Sequence, residues 1–190
     1  MNTFLKRLLI ILSVVALGLF LYSHFVENIF ETRLSPKDTV EFKLNDLKLK
    51  ITYNRPFKKG REIFGGLVPY NKVWRTGANE ATTFVTNKPL YIRGFKIPDG
   101  EYTIWTVPRD SVWQVMFNTK KYPWGVDAEM RPMWDPNYDL LEIDVPVEKL
   151  DIVVEQFTIG FDNTTDNLKL TMVWDQTKVA VPLEITKNPD

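Results

Sequence analysis

Cysteine is absent from the chain, and histidine occurs once, at His24. Without cysteine there are no disulfides, no thiolate nucleophile and no cysteine-bound zinc. Lipid attachment at a cysteine after the apolar N-terminal run is excluded as well. His24 sits at the edge of that run, so the chain beyond it has no imidazole. Mechanisms built on a histidine base, the Ser-His-Asp triad among them, are unavailable there, and so is zinc held by histidine. An excess of charge of one sign is also missing. The 24 Lys and Arg balance 24 Asp and Glu, which leaves no basic face for a nucleic-acid partner. No stretch after Val26 repeats its apolar residues with a helical period, and there is no internal repeat or low-complexity tract. "GREIFGG" lacks the Gly-Lys-Ser/Thr ending of a phosphate loop. "WDPNYD" places Asp135, Asn137 and Asp139 like the opening of a calcium loop. However, Leu140 stands where that loop needs glycine and Pro146 where it needs glutamate. Neither a metal site nor a cofactor is expected.

What is present is apolar and aromatic. Hydrophobic residues make up 44% of the chain, enough for a real core, and aromatic residues 13%, which suits a β-sheet. The N-terminus reads as a basic segment, 1–7, followed by an apolar run, 8–26. About 19 residues satisfy the length of a membrane span. The reading is a single transmembrane anchor. A cleaved signal with its site near Ala16-Leu17-Gly18 is the alternative, disfavoured because it leaves an apolar new N-terminus. Lys6 and Arg7 ahead of the run put the N-terminus in the cytoplasm and the rest outside. Residues 27–38 read as a linker, 39–186 as one domain and 187–190 as a tail.

In the domain, apolar residues alternate with polar ones. The pattern predicts strands over 40–44, 47–53, 82–86, 89–92, 101–107, 112–118, 153–161, 168–174 and 179–185. "EYTIWTV" is apolar on both faces and reads as a central strand. "DNTTDN" and "DQT" read as turns. The resulting architecture is all-β: an antiparallel β-sandwich of about nine or ten strands behind one N-terminal transmembrane helix.

Two segments break the alternation, 54–81 and 118–138, and long irregular segments in compact domains are often functional. Ile63, Phe64, Leu67 and Trp74 in the first are expected to face inward and cover the sandwich. Trp105, Trp113 and Trp174 fit strand alternation and read as core; Trp74, Trp124 and Trp134 lie in irregular stretches and offer flat surfaces. Within the string "VWRTGANEATTF", residues 73–84, Arg75 and Glu80 flank a glycine and carry opposite charge. They are expected to share hydrogen bonds. This string is either a structural clasp or a site, and the two readings are compatible. The candidate ligand-binding residues are Arg55, Arg61, Trp74, Arg75, Asn79 and Glu80. The three arginines would converge on an anion, because a guanidinium grips carboxylates with two bonds.

"GREIFGGLVPYNKVWRTGANEATTF", then "IPDGEYTIWTVP", then "PVEKLDIVVEQFTIGFDN", "LKLTMVWDQTKVAVPLEI": these strings resemble a bacterial family known as domain of unknown function 2911. The resemblance runs from about Ser35 to Ile185. It implies an all-β domain of the cell envelope, in proteins exported mostly by Bacteroidetes, and it transfers no activity. The chain departs from the family in its firm anchor and in a longer loop at "YPWGVDAEMRPMWDPNYDL". The expectation is therefore a bacterial inner-membrane protein whose domain faces the periplasm. It binds an envelope glycan, peptide or partner protein. The alternatives are a hydrolase using Glu80 with Arg75, and a structural subunit that makes contact through 118–138. A second carboxylate for hydrolysis is not evident; Glu62, Asp127 and Asp135 lie in the irregular loops.

Overall fold

The computed structural model describes residues 2–24, 33–165 and 167–185. The chain divides into two compact units, Met1–Leu34 and Ser35–Asp190. In the first, α1 (Thr3–Tyr22) is a single helix started by Asn2, whose side chain accepts from the Phe4 amide. It has 20 residues, its most apolar 18-residue window has a mean hydropathy of 2.3, and none of the helix is buried by protein. The helix is long and apolar enough to cross a membrane, a property shared by anchors and signal sequences. It begins earlier than the apolar run, so Lys6 and Arg7 lie inside it rather than ahead of it. Residues 25–32, which hold the end of the expected span and half of the linker, lie outside the described residues, as do 186–190.

The second unit is mostly antiparallel β. Its strands are β1 (Lys37–Leu44), β2 (Leu47–Asn54), β3 (Thr82–Thr86), β4 (Leu90–Ile92), β5 (Phe95–Ile97), β6 (Gly100–Val107), β7 (Val112–Asn118), β8 (Asp139–Asp162) and β9 (Lys169–Pro182). Seven pair in the order β1-β2-β3-β6-β7-β8-β9, and β4-β5 form a separate hairpin. The sheet curls on itself. Beyond β2, Phe57 bridges Gln156 of β8. The Phe157 amide donates to the Pro56 carbonyl at 2.9 Å and the Lys58 amide to the Glu155 carbonyl at 2.7 Å. The Tyr53 hydroxyl both donates to the Ile159 carbonyl and accepts from its amide. One continuous core lies inside, including Ile51, Phe84, Trp113, Phe157, Leu170 and Trp174. Phe42 is half-buried against it.

Two strand assignments change. The expected strand 153–161 is the second half of a 24-residue β8, whose first half, with Leu141, Ile143 and Val145 pointing inward, is absent from the expected strands. β8 leaves its pairing with β7 at Pro146 and takes up β9 from Val147, and register shifts between Lys149 and Val154 and between Val154 and Thr158 bend it within that second pairing. Val153, placed in the core stripe from sequence, is 54% exposed at that bend. "DQT" is no turn either. It sits inside one continuous β9, where Asp175 at φ 53° lies opposite the register shifts of β8 and pairs with Lys58.

β6 is buried on both faces, as its sequence requires. Its inner residues enter the main core. Trp105 and Val107 instead join a smaller cluster on the outer face with Ala81, Met116 and Tyr122, against which Val73 and Trp134 pack. The outer face is thus covered by the 118–138 segment together with Val73 and Ala81, whereas Ile63, Phe64, Val68 and Trp74 of the 54–81 segment pack with the main core.

Candidate functional site

The outer face carries a polar row set by strand register. Thr39 of β1 lies opposite Thr52 of β2, Thr52 opposite Thr83 of β3, and Thr83 opposite Thr103 of β6. Threonine suits this pleated, half-exposed surface. The Thr39 and Thr52 hydroxyls are 3.2 Å apart. Thr103 donates to the Lys120 carbonyl at 2.8 Å, so the 118–138 segment closes over the row from there on. What stays open is a cleft of about 180 Å³. Thr52 and Thr83 are its floor, Lys37, Asn54 and Glu80 one wall, and Tyr122 and Pro123 the other.

Asn54 organises the first wall. It is 1% exposed. Its Nδ2 donates to Glu80 Oε2 at 2.9 Å, and Lys37 Nζ stands 3.9 Å from Glu80 Oε1. Asn54 Oδ1 is buried with no hydrogen-bond partner, which in a native site calls for a donor from water or ligand.

"VWRTGANEATTF" forms a clasp beside this cleft. Val73 points to the outer cluster and Trp74 to the main core. The Trp74 backbone pairs with Thr106 in both directions, at 2.7 and 3.0 Å. Its ring lies 5.0 Å from Phe157, 6.0 Å from Trp113 and 6.1 Å from Trp174. Its Nε1 donates to the Gly77 carbonyl at 3.0 Å. Thr76 is buried at φ 55°, held by hydroxyl bonds to Thr106 and from Thr82. Gly77 has φ +152°, and a Cβ there would meet the Asn54 carbonyl oxygen at 2.9 Å. Asn79 donates to the Ser35 carbonyl at 3.3 Å and accepts from the Gly125 amide at 3.1 Å.

The sequence candidates therefore separate. Glu80 lines the cleft. The expected Arg75–Glu80 pair is not formed: Glu80 is held by Asn54 and Lys37, whereas among the described residues no carboxylate acts on Arg75. The stem of Arg75 lies on Gly125, where an added Cβ would be 2.3 Å from Arg75 Cδ. The arginines do not converge. Arg55 bridges to Asp38 at 3.1 Å and donates to Thr158 Oγ1 and the Phe157 carbonyl, tying β2 to β8. Arg61 is spent on the carbonyls of Phe57 and Lys58. Of the covering residues, Ile63 is fully buried and Phe64 packs on the core, but Leu67 is 46% exposed. Trp124, next to Pro123, is 43% exposed.

Lys37, Thr52, Asn54, Thr83, Tyr122 and Pro123 were not singled out from sequence. The threonines were legible as the polar half of the alternation, but their alignment in one row depends on register. Lys37 fell within the expected linker.

A second polar group pins the 118–138 segment. The Asp139 carboxylate accepts from Asn118 Nδ2 at 2.8 Å and from Trp134 Nε1 at 2.9 Å, and it shares a hydrogen bond with Glu142. Burial first, then the mutual repulsion of the carboxylates, pushes Glu142 above its usual range; burial does the same for Asp139. Backbone hydrogen bonds hold Asp127, Asp135 and Asp162 below theirs. The raised pair contributes stability that is complete below about pH 4 and lost as pH rises through the raised values. The depressed group contributes stability that is present above about pH 4 and lost below it. As pH is lowered through the raised values towards 4, the pair is expected to raise the melting temperature, and below 4 the depressed groups lower it. Asp139→Asn should flatten the first limb. A parent and an Asp139→Asn variant with the same pH dependence of melting above pH 4 would contradict this assignment. Among the described residues no group of three or more Asp, Glu or His is placed to hold a metal ion.

Residues 35–183 match the family described as protein of unknown function (DUF2911). The chain belongs to that family. No curated protein and no solved structure matches it.

Proposed function

We propose that the chain is a membrane-anchored binding protein of the bacterial envelope, its domain on the non-cytoplasmic side, and that the outer-face cleft takes a glycan. The observation that carries this reading is Asn54. It is a fully buried amide fixed on Glu80, with its acceptor oxygen unpaired behind a cleft floored by threonine hydroxyls. Mixed donors and acceptors of this kind suit the hydroxyls of a sugar. Trp124, exposed beside the Tyr122-Pro123 wall, supplies a flat apolar surface for the face of a ring. At about 180 Å³ the cleft is smaller than a whole ligand pocket of about 300–1,000 Å³, so it fits one ring of a longer chain lying on the sheet. Hydrolysis is less well supported, because glycoside cleavage takes two carboxyl groups and among the described residues Glu80 is the single carboxylate lining the cleft. A partner-protein reading draws on the exposed Met130, Met133 and Tyr138 of the 118–138 segment.

Thr83→Trp tests the assignment in the full-length protein in detergent. The new ring fills the cleft from its floor. Titration with envelope oligosaccharides should give binding to the parent and none to the variant, with melting temperatures alike. Equal binding by both would remove the cleft from the account.

A further inference from the structure

Arg75 is unusual among the charged side chains of the domain. Its Nε is buried with no partner, and burial alone, with no neighbouring charge, acts on its ionisation. The residue as a whole is only half-buried, and its two terminal nitrogens make no hydrogen bond among the described residues. The stem lies close against Gly125. The Trp74–Thr106 bridge, continued by one residue, sets Arg75 beside Trp105, whose Nε1 is a second buried donor without an acceptor. A guanidinium keeps its charge under such burial, and half-desolvated it attracts an anion more strongly than a solvated one does.

Arg75 is not itself part of the cleft lining, but the two segments it joins both are. The turn that carries Arg75 also carries Glu80, and the loop whose Gly125 covers it also supplies Tyr122 and Pro123; both segments wall the cleft. They are tied to each other by the Gly125 amide and the Asn79 carbonyl. Within this group Lys37 is offset by Glu80, which leaves Arg75 as one uncompensated positive charge.

We infer that the ligand of this site is an acidic sugar, whose carboxylate meets the terminal nitrogens of Arg75 while its ring occupies the cleft. The inference rests on the glycan reading given above and narrows it to uronate-type chains. A carboxylate and a guanidinium fork form two parallel hydrogen bonds, a geometry that a neutral sugar cannot use.

The test uses the full-length protein in detergent. It is titrated with glucuronate, galacturonate and mannuronate oligosaccharides and with their neutral counterparts, which carry a hydroxymethyl group in place of the carboxylate. The parent is expected to bind at least one uronate about tenfold or more tightly than its neutral counterpart. In Arg75→Gln the two should bind alike, while the melting temperature stays at or above that of the parent, since a desolvated charge has been removed. The Arg75 Nε–H resonance should shift on addition of the uronate and stay in place with the neutral sugar. Equal binding of both series by the parent would overturn the acidic assignment and leave the glycan cleft standing. Binding of neither series would overturn both. A free peptide carboxylate, acetyl-Ala-Ala, that binds as tightly as the uronate would overturn the sugar as the source of the anion.

Discussion

Replacing Trp74 with alanine lowers the melting temperature of the domain by roughly 6–20 °C, the largest effect expected of any single change in "VWRTGANEATTF". Removing a large aromatic from a packed core destabilises by about 3–5 kcal/mol, and a domain of this size shifts by about 2–4 °C per kcal/mol. The ring of Trp74 touches Phe64, Trp113, Phe157 and Trp174 in one aromatic cluster. Its loss also frees the Gly77 carbonyl that its indole holds. Trp124→Ala is the control: that ring is 43% exposed and its loss should move the melting temperature little. Melting followed by near-ultraviolet circular dichroism reads both variants. A Trp74 variant that melts within 2 °C or so of the parent would show that the clasp is not anchored in the core.

Gly77→Ala is the second large effect, about 2–4 kcal/mol from backbone strain and a forced contact. Gly77 has φ +152°, which side chains rarely adopt, and the added Cβ would press on the Asn54 carbonyl at 2.9 Å. Displacing Asn54 moves the amide that positions Glu80, so this variant should lose ligand binding together with stability. Gly60→Ala separates strain from contact. Its φ is +69° but nothing lies within 4 Å of the new Cβ, so it should destabilise by only about 1 kcal/mol. Equal melting temperatures for the two glycine variants, in a thermal scan of both, would contradict the contact with Asn54.

The sequence made the hairpin of β1 and β2, the short β3 and the two-sided burial of β6 legible, because alternation reports directly on which face is covered. It did not reveal that β8 runs through "LLEIDVPVEKL". There Pro146 and the charges at Glu148 and Lys149 mask Leu141, Ile143 and Val145, and the bend depends on pairing with two different strands. "DQT" looked like a turn because Asp175 does adopt a turn-like φ, but inside a continuous strand. The clasp was half legible. A glycine between polar residues signals a tight turn, and Gly77 is one. Which charges would pair was not legible: Arg75 and Glu80 are near in sequence, but Glu80 turns to Asn54 and Lys37 on neighbouring strands. The threonine row was invisible for the same reason. Four threonines spread over 65 positions, from Thr39 to Thr103, become neighbours only once the sheet has registered them.

The measurement that bears most directly on the cleft is a methyl spectrum of the full-length protein in detergent, with threonine methyls labelled, recorded as an envelope oligosaccharide that binds is added. Binding in the cleft predicts that the Thr52 and Thr83 methyls shift in proportion to occupancy, while Thr171 on β9 and Thr119 beyond the end of β7 stay in place. Shifts that bypass Thr52 and Thr83 under saturating ligand would contradict it.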